Sequence, residues 1–359
     1  MRAAALILLI IAQAANAQDT TTVSLLFVGD IMQHESQMKA AYNDSTGVYE
    51  YAATFDPVKQ ILSRPDLTIG NLELTLAGKP YTGYPEFSAP DELLPVLRDV
   101  GFDVLVTANN HSVDKGRKGL DRTVRLLDSV GIRHTGTFRD TLEYLNEYPL
   151  ILDRNGIRIA LLNYTYGTNG IAVRSPNIVN LIDTLRIETD LRKAAYLKAD
   201  ASIVFFHWGD EYKSMPNDFQ KKIAAFCLAK GAKAVIGSHP HVLQPMTWNQ
   251  ETDQLVVYSL GNFISGQRSR YRNGGAMVEV LLQRTASGTR IADVSYSLAW
   301  VYRAADRKKS FYMVPVVEGV DTVRVHGPNS RAAMKEFIDD ARALLGKENV
   351  NVRERVKNR

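Results

Sequence analysis

Ala234-Val235-Ile236-Gly237-Ser238-His239-Pro240-His241 is a short apolar strand that runs directly into two histidines one residue apart. A Gly-x-His-x-His turn lets two imidazoles point into one crevice, where each can hold a metal ion. Two more of the seven histidines follow apolar runs: His207 comes after residues 201–206, and His111 comes shortly after residues 104–108. Because open α/β sheets place their sites at the carboxyl ends of strands, the sequence predicts a metal site there.

The sequence on either side of this stretch alternates helical and strand patterns. Helices are predicted over residues 90–100, 119–130, 183–198 and 217–230. Strands are predicted over residues 23–28, 67–70, 102–108, 150–153, 157–163, 201–206 and 233–236. Helices that alternate with β-branched strands are typical of an α/β sheet covered by helices.

After residue 254 the helical patterns stop for a while. Consecutive antiparallel strands are predicted over residues 255–260, 276–284, 291–302 and 311–317, followed by a last helix over residues 330–345. Earlier in the chain, Asn155-Gly156 between two apolar runs predicts a hairpin. An α/β part followed by a β-rich part predicts two stacked mixed sheets with helices outside, in one compact domain.

Composition narrows the class of protein. Residues 1–17 combine Arg2, a short apolar run and Ala15-Asn16-Ala17, which is typical of a signal peptide cleaved before Gln18. We therefore expect an exported protein, periplasmic or extracellular, whose mature chain has no membrane-spanning segment. Its main domain is predicted over residues 18–318, with a C-terminal strand, helix and basic tail over residues 319–359.

Charge and cysteine content exclude two further classes. The net charge of +4 arises from interspersed signs without a basic stripe, so nucleic-acid binding is not expected. The single cysteine, Cys227, allows no disulfide within the chain and falls in a helical pattern. We expect it to be a small core residue.

Metal-ligating side chains recur at the predicted strand ends. They are Asp30, Glu73, Asn109, Asn110, His111, His207, His239 and His241. Mixed nitrogen and oxygen donors suit zinc, manganese or iron, and six or more of them suggest two ions. Each residue also has an ordinary interpretation: Asp30 as a helix cap, Glu73 as a surface residue, the asparagines as turn residues and His207 as a packed histidine. Their recurrence at successive strand ends favours the metal site, whereas His134 and His326 lack this context.

The motifs that carry these residues resemble the CapA family of bacterial capsule or poly-γ-glutamate synthesis proteins, a branch of the calcineurin-like metallophosphatases. The shared motifs are Gly29-Asp30-Ile31-Met32, Asn71-Leu72-Glu73, Gly101-Phe102-Asp103, Ala108-Asn109-Asn110-His111, His207-Trp208-Gly209-Asp210-Glu211, Gly237-Ser238-His239-Pro240-His241 and Tyr258-Ser259-Leu260-Gly261-Asn262-Phe263. In order and spacing they cover residues 23–280. The resemblance implies a metallophosphatase-like four-layer αββα sandwich with a C-terminal β-rich part and a terminal helix.

The resemblance also implies a role for each residue in a centre with two divalent ions. Asp30 corresponds to the opening ligand, Glu73 to the bridging one and Asn110 to the amide ligand. His207 and His239 would then bind one ion with Asn110, and His241 would bind the other with Asp30. His111 corresponds to the acid that protonates or stabilises the leaving oxygen.

The chain departs from the general metallophosphatase pattern near Asp30. Met32 stands where most metallophosphatases have a histidine, and Glu73 replaces their bridging aspartate; both changes are similar to the CapA branch itself. His34 lies four residues after Asp30, and on a helical turn such residues share a face. His34 is therefore either a substitute ligand or a residue that contacts substrate.

Two further segments are candidates for substrate binding. The glycine-flanked segment 266–275 contains Arg268, Arg270 and Arg272, and arginine forks suit phosphate or carboxylate. The alternative is a solvated hairpin loop. Residues 81–87 carry Tyr81, Tyr84 and Phe87, which either cover the site as an aromatic lip or pack on the surface.

Three functions remain open on the sequence. The first is a metal-dependent hydrolase that acts on a phosphoester or a related bond in an envelope polymer. The second is a non-catalytic accessory protein that binds a polyanion during capsule or poly-γ-glutamate synthesis or export, with a membrane synthase as partner. The third is an amide hydrolase that uses the same centre on γ-glutamyl bonds, and the arginines would serve its carboxylates equally well.

Overall fold

A computed structural model describes residues 21–306, 308–317 and 325–355. The predicted signal peptide and its cleavage site before Gln18 lie outside the described residues. The domain boundary after residue 318 also falls on a residue outside them, so both boundaries stay predictions.

Nineteen strands form in the described part of the chain, and we number them in chain order. They are β1 (Thr22–Ile31), β2 (Tyr42–Asn43), β3 (Val48–Tyr49), β4 (Leu67–Leu72), β5 (Val104–Val106), β6 (Arg133–Thr135), β7 (Thr137–Phe138), β8 (Leu150–Arg154), β9 (Ile157–Thr165), β10 (Ile178–Val179), β11 (Ala201–His207), β12 (Ala234–Ser238), β13 (Met246–Asn249), β14 (Gln254–Val257), β15 (Asn262–Ile264), β16 (Gly274–Thr285), β17 (Gly288–Arg303), β18 (Phe311–Val316) and β19 (Arg353–Glu354).

The described residues also form nine α-helices and one 3₁₀ turn (Asp56–Val58). The α-helices are α1 (Glu35–Ala41), α2 (Ala52–Phe55), α3 (Lys59–Leu62), α4 (Leu93–Asp99), α5 (Gly116–Val130), α6 (Thr141–Glu147), α7 (Thr184–Tyr196), α8 (Asp218–Ala229) and α9 (Pro328–Glu348).

Two large mixed sheets dominate the fold. The first has the order β18-β17-β16-β1-β4-β5-β6, with β15 paired to β1 and β19 to β17. The second has the order β13-β14-β12-β11-β9-β8. Strands β1, β4, β5 and β6 run parallel in the first sheet, and β9, β11, β12 and β14 run parallel in the second.

The two sheets stack face to face with helices on both outer surfaces. Alternate side chains of both sheets, such as Phe27 of β1 and Phe205 of β11, meet in one buried core. The opposite face of the first sheet packs on helices α3, α4 and α5 through side chains such as Leu94. The opposite face of the second sheet packs on α7 and α8 through Leu191 and Cys227. The predicted four-layer αββα architecture is confirmed, as is the core position of Cys227.

The predicted helices agree with the structure within a few residues because their end signals are local. Asn217 caps α8, since its side chain accepts a hydrogen bond from the Gln220 amide at 2.9 Å. Gly131 ends α5 with a φ of 74°, which favours glycine. The hairpin between β8 and β9 is confirmed, and its turn residues Asn155 and Gly156 have φ values of 51° and 73°.

The strand predicted over residues 255–260 forms, but its end and its place among the antiparallel strands of the first sheet are wrong. This strand is shorter, β14, and it lies in the second sheet parallel to β12, whereas β16, β17 and β18 form the antiparallel part of the first sheet. Leu255, Val256 and Val257 are all buried, because a strand inside a covered parallel sheet has apolar neighbours on both faces. Such a continuous apolar run does not indicate which sheet the strand joins.

Within residues 21–306, 308–317 and 325–355, no helix combines the length and the apolar character needed to cross a bilayer.

Candidate metal centre

The carboxyl ends of the parallel strands of both sheets meet at one edge of the sandwich. β1 carries Asp30 near its end, and Glu73 directly follows β4. β11 ends at His207, and β12 leads into His239 and His241. The structure thus brings together the side chains that the sequence predicts to be ligands, and all of them are buried.

Close backbone packing explains two glycines of the motifs. A Cβ atom on Gly29 would lie 1.9 Å from the Gly261 carbonyl oxygen, and one on Gly237 would lie 2.1 Å from the Tyr258 carbonyl oxygen. Any side chain at either position would therefore force the strands apart. These approaches hold β1 and β12 against the segment that carries Asn262.

Glu73 is the central carboxylate of the centre. It is fully buried, and among the residues that the structure describes neither of its oxygens has a hydrogen-bond partner. Oε1 lies 3.4 Å from Nε2 of His207 and 3.8 Å from Nε2 of His241. Burial, followed by the negative charge of Asp30, raises the pKa of Glu73 well above its usual range. A buried carboxylate without donors, facing imidazole nitrogens, is the environment that a bound cation satisfies.

Ligand atoms converge in two groups that share Glu73. One group contains Glu73, His239 and His241, and the other contains Asp30, Glu73 and His207; within each, the ligand atoms lie within 4.8 Å of one another. The closest single contacts pair the residues differently, since Nδ1 of His239 lies 3.1 Å from Nε2 of His207 and Nδ1 of His241 lies 3.0 Å from Oδ2 of Asp30. Both groups of ligand atoms contain Glu73, and the residues fit a divalent metal ion.

Asn110 adds an amide oxygen to this cluster. Its Oδ1 atom lies 2.8 Å from Nε2 of His207, the same nitrogen that faces His239. Burial lowers the pKa of His207 well below its usual value and that of His239 to about 3, with further lowering from the charge of neighbouring histidines. Neutral imidazoles keep a lone pair for a metal.

Two buried asparagines that the sequence did not single out as site residues orient the ligands. Nδ2 of Asn71 lies 2.8 Å from Oδ1 of Asp30 and 3.1 Å from Nδ1 of His207. Oδ1 of Asn262 lies 3.0 Å from Nδ1 of His241. Because these contacts engage the Nδ1 side of each ring, the Nε2 atoms are left facing Glu73. Both asparagines belong to the quoted motifs, but their role depends on contacts that no local pattern specifies.

Asp30 is held as a carboxylate by the same network. Burial opposes ionisation, but hydrogen bonds from His241 and Asn71 and the charges of the histidines hold its pKa below the usual value. Its second oxygen also accepts the backbone N–H of His239 at 3.3 Å. Both oxygens of Asp30 therefore already have partners, in contrast to those of Glu73.

His111 forms a pair with a residue that the sequence analysis missed. Its Nδ1 atom lies 2.7 Å from Oδ2 of Asp114, which also accepts the Phe87 backbone N–H at 2.7 Å. Burial raises the pKa of Asp114, and the hydrogen bond to His111 opposes that rise. The ring of His111 packs edge-on against that of Phe87, with 4.6 Å between the two ring centres. The spacing of three residues between His111 and Asp114 is the only signal for this pair in the sequence.

Asn109 and His34 have structural contacts of their own. The side chain of Asn109 bridges the Leu72 carbonyl at 2.7 Å and the His111 backbone N–H at 3.0 Å, so it shapes the turn. Nδ1 of His34 accepts the Gly266 N–H at 3.1 Å, and burial lowers its pKa to about 4. Among the described residues, His34 belongs to neither ligand group. Met32 lies in the apolar core.

The three arginines of residues 266–275 have different surroundings. Arg270 pairs with Asp340 of α9 at 2.7 Å. Arg268 is exposed as a residue. Partial desolvation of its guanidinium group, followed by the positive charge of Arg303, lowers its pKa. Arg272 lies 4.0 Å above the ring of Tyr212, whose centre is 6.1 Å from that of His241. Of the three arginines, Arg272 is the one whose described contacts lead, through Tyr212, to the metal-ligand turn.

Aromatic side chains surround the centre. Phe87 of the predicted lip is buried and contacts both His111 and His34, whereas Tyr84 is exposed. Tyr166 was not predicted; its ring centre lies 4.6 Å from that of His239, and the residue is 45% exposed. The centre therefore has aromatic walls on two sides.

Fold and site together define an α/β sandwich protein with a cluster of carboxylate and imidazole groups, which fits a metal ion, at the carboxyl ends of its strands. Residues 24–267 match the family described as "Bacterial capsule synthesis protein PGA_cap", and the chain belongs to this family. The family resemblance drawn from the motifs is thereby confirmed.

Curated relatives agree with this membership. The chain is 28% identical over 294 residues to "Capsule biosynthesis protein CapA" of Bacillus anthracis, which covers 77% of this chain and 67% of the relative. It is 29% identical over 282 residues to "PGA biosynthesis protein CapA" of Bacillus subtilis strain 168, which covers 74% of this chain and 69% of the relative. Among solved structures, it is similar to calcineurin-like phosphoesterase YfkN from Bacillus subtilis, with a TM-score of 0.48, 13% identity and coverage of 89% of this chain and 98% of that chain.

Proposed function

We propose that the chain is an exported metal-dependent hydrolase that cleaves a phosphoester or a related bond in an envelope or capsule polymer. The observation that carries the proposal is Glu73, a buried carboxylate without hydrogen-bond partners that faces imidazole nitrogens. A bound divalent ion supplies Lewis-acid polarisation and a lowered pKa for water. The family membership supports an anionic polymer as substrate.

In this proposal the ligands are divided between two ions of manganese, zinc or iron. His207, His239 and Asn110 hold one ion, and Asp30 and His241 hold the other. The 3.1 Å contact between Nδ1 of His239 and Nε2 of His207 supports their common ion. Asp30 and His241 are assigned to the other ion by the family resemblance, since Asp30 contacts Nδ1 of His241 and the Nε2 atom of that ring faces Glu73. Glu73 lies between both sets and would be shared by the two ions.

His111 would act as the general acid. Its Nδ1–H donates to Asp114, which leaves Nε2 free for the substrate. Nε2 would carry the proton that the leaving oxygen receives, and Asp114 would stabilise the charged ring. His111 lies in the same buried segment as the proposed ligand Asn110, so the acid and the ligand are positioned by one turn.

An accessory role in polymer synthesis is the second candidate, favoured by what the relatives are named for. In that role the centre would bind a polyanion without cleaving it, next to a membrane synthase. It predicts polymer binding without turnover of any ester or amide. Fold alone does not separate the two roles.

The test combines metal analysis with an activity screen over phosphomonoesters, phosphodiesters and γ-glutamyl amides. We expect about two ions per chain and turnover of an ester. Because His111 contacts no metal in this proposal, His111→Gln should lower kcat by about 100- to 10,000-fold and retain the ions. Loss of the ions in this variant, or unchanged kcat, would contradict the assignment. Amide turnover alone would instead favour the amide hydrolase.

Export is part of the same proposal, and Ala15-Asn16-Ala17 supports it. Expression of the full chain in a Gram-negative host, followed by intact-mass analysis of the secreted or periplasmic protein, should give a mature chain that begins at Gln18. A full-length chain retained in the cytoplasm would contradict export.

A further inference from the structure

The mouth of the metal centre carries an arginine, Arg272, that forms no ion pair with the carboxylates of the described residues. Among the described residues, no Asp or Glu forms an ion pair with Arg272, whereas its neighbour Arg270 is engaged by Asp340 and Glu336. The guanidinium carbon of Arg272 lies 4.0 Å from the centre of the Tyr212 ring. A guanidinium supported on an aromatic face keeps its edge N–H groups available, and these match the two oxygens of a carboxylate or phosphate.

Both members of this pair are fixed to the metal-ligand turn. The Tyr212 backbone N–H donates to the Pro240 carbonyl at 2.8 Å, between His239 and His241. The Arg272 carbonyl accepts Nδ2 of Asn262 at 2.7 Å, and Oδ1 of the same asparagine contacts His241. Because the pair is held before any ligand arrives, less conformational entropy is lost on binding.

Glu211, the residue before Tyr212, carries an exposed carboxylate beside this pair. After burial, the contact with Glu211 and its negative charge raise the pKa of Tyr212 to about 12, and the charge of Arg272 opposes that rise. Tyr212 therefore lies between a carboxylate and a guanidinium, and Arg272 supplies the positive charge of the pair.

We propose that Arg272 and Tyr212 form a subsite for a second oxyanion of the substrate, a carboxylate or phosphate carried next to the bond that reacts. The inference rests on the proposed function and adds the residues that recognise a negative charge next to the reacting bond. Arg272 donates two N–H groups to that oxyanion, and Tyr212 holds the guanidinium plane.

The test compares two alkylphosphonic acids, in which a non-hydrolysable P–C bond replaces the ester bond, that differ only in the tail, a carboxylate in one and its neutral methyl amide in the other. Calorimetric titration of the metal-loaded full chain should show about 10- to 100-fold tighter binding of the carboxylate compound, as expected for a charge-assisted bidentate contact. Arg272→Ala should abolish this preference and leave the affinity for the amide compound unchanged. Tyr212→Leu should reduce the preference in part.

Arg290→Ala is the matched control, since Arg290 is exposed and contacts Gln283 on the β16–β17 hairpin. This control should retain the full preference. Equal binding of both compounds by the wild-type chain, no binding of either, or a preference that survives Arg272→Ala would overturn the subsite. Because the readout is binding, the subsite can stand while absence of turnover refutes the proposed hydrolase, and a working hydrolase without the preference refutes the subsite alone.

Discussion

At the scale of single residues, the clustering of the candidate ligands could be predicted because each side chain follows a recognisable apolar strand. Asp30, Glu73, His207 and the two histidines after β12 are visible in this way. Asn71 and Asn262 were not assigned roles, because each acts through a contact with a residue distant in sequence. Asp114 was not assigned one because its spacing of three residues from His111 is its only sequence signal. Nothing local distinguishes the buried Asn71 from any other strand asparagine; only its 2.8 Å contact with Asp30 does.

Glu73 allows the sharpest prediction at this scale. Glu73→Gln removes the charge but keeps the shape, and the wild-type carboxylate has no donor in the described structure. Because an unpaired buried charge is costly, the metal-free variant should be at least as stable to urea unfolding as the metal-free wild type, with a gain of up to about 2 kcal/mol. It should also lose the metal-induced rise in stability.

The control for this prediction is Glu279→Gln. Glu279 has partners, since Arg64 lies 3.2 Å away and Arg355 also contacts it. Its amide variant should be slightly less stable than the wild type, by less than about 1 kcal/mol, and should keep its metal. A Glu73→Gln variant that unfolds more easily than the wild type without metal would contradict the interpretation of Glu73.

At the scale of secondary-structure elements, helix ends were predictable and sheet membership was not. Asn217 and Gly131 mark helix ends by their own chemistry, so α8 and α5 fall close to their predicted positions. β14 was placed with the strands that follow it, yet it pairs with β12 across a loop. Pairing is decided by long-range packing, and an apolar run buried on both faces satisfies either sheet equally well.

The arginines of residues 266–275 also show that local sequence does not fix contacts between elements. Its sequence predicted three equivalent guanidinium groups near an anion, but the neighbouring elements separate them. α9 engages Arg270 through Asp340, and the turn after β12 positions Arg272 through Tyr212. The positions of α9 and Tyr212 relative to this loop follow from tertiary packing, which residue spacing within the loop does not encode.

At the scale of the whole molecule, the candidate centre joins the two halves of the sandwich. The first sheet contributes Asp30, Glu73 and, after its strand β5, Asn110. The second sheet contributes His207 and the His239–His241 turn. Each half alone offers an incomplete ligand set. The resemblance to a capsule-synthesis family indicated this arrangement, and the stacking of the two sheets in one core explains how it forms.

A cross-sheet ligand set predicts how metal changes the motions of the protein. Adding manganese or zinc to the metal-free chain should slow amide hydrogen exchange by at least about tenfold in both sheets at once. In the first sheet this protection should fall on the segment after β4, and in the second sheet on the segments after β11 and β12. The physical reason is linkage: an ion that binds only the closed arrangement of both sheets lowers the population of every opening that separates its ligands. Hydrogen-exchange mass spectrometry resolves these segments, and Glu73→Gln, which lacks the shared ligand, should show no such protection. Protection confined to one sheet would mean that the ion is held by that half alone, and the shared role of Glu73 would then be wrong.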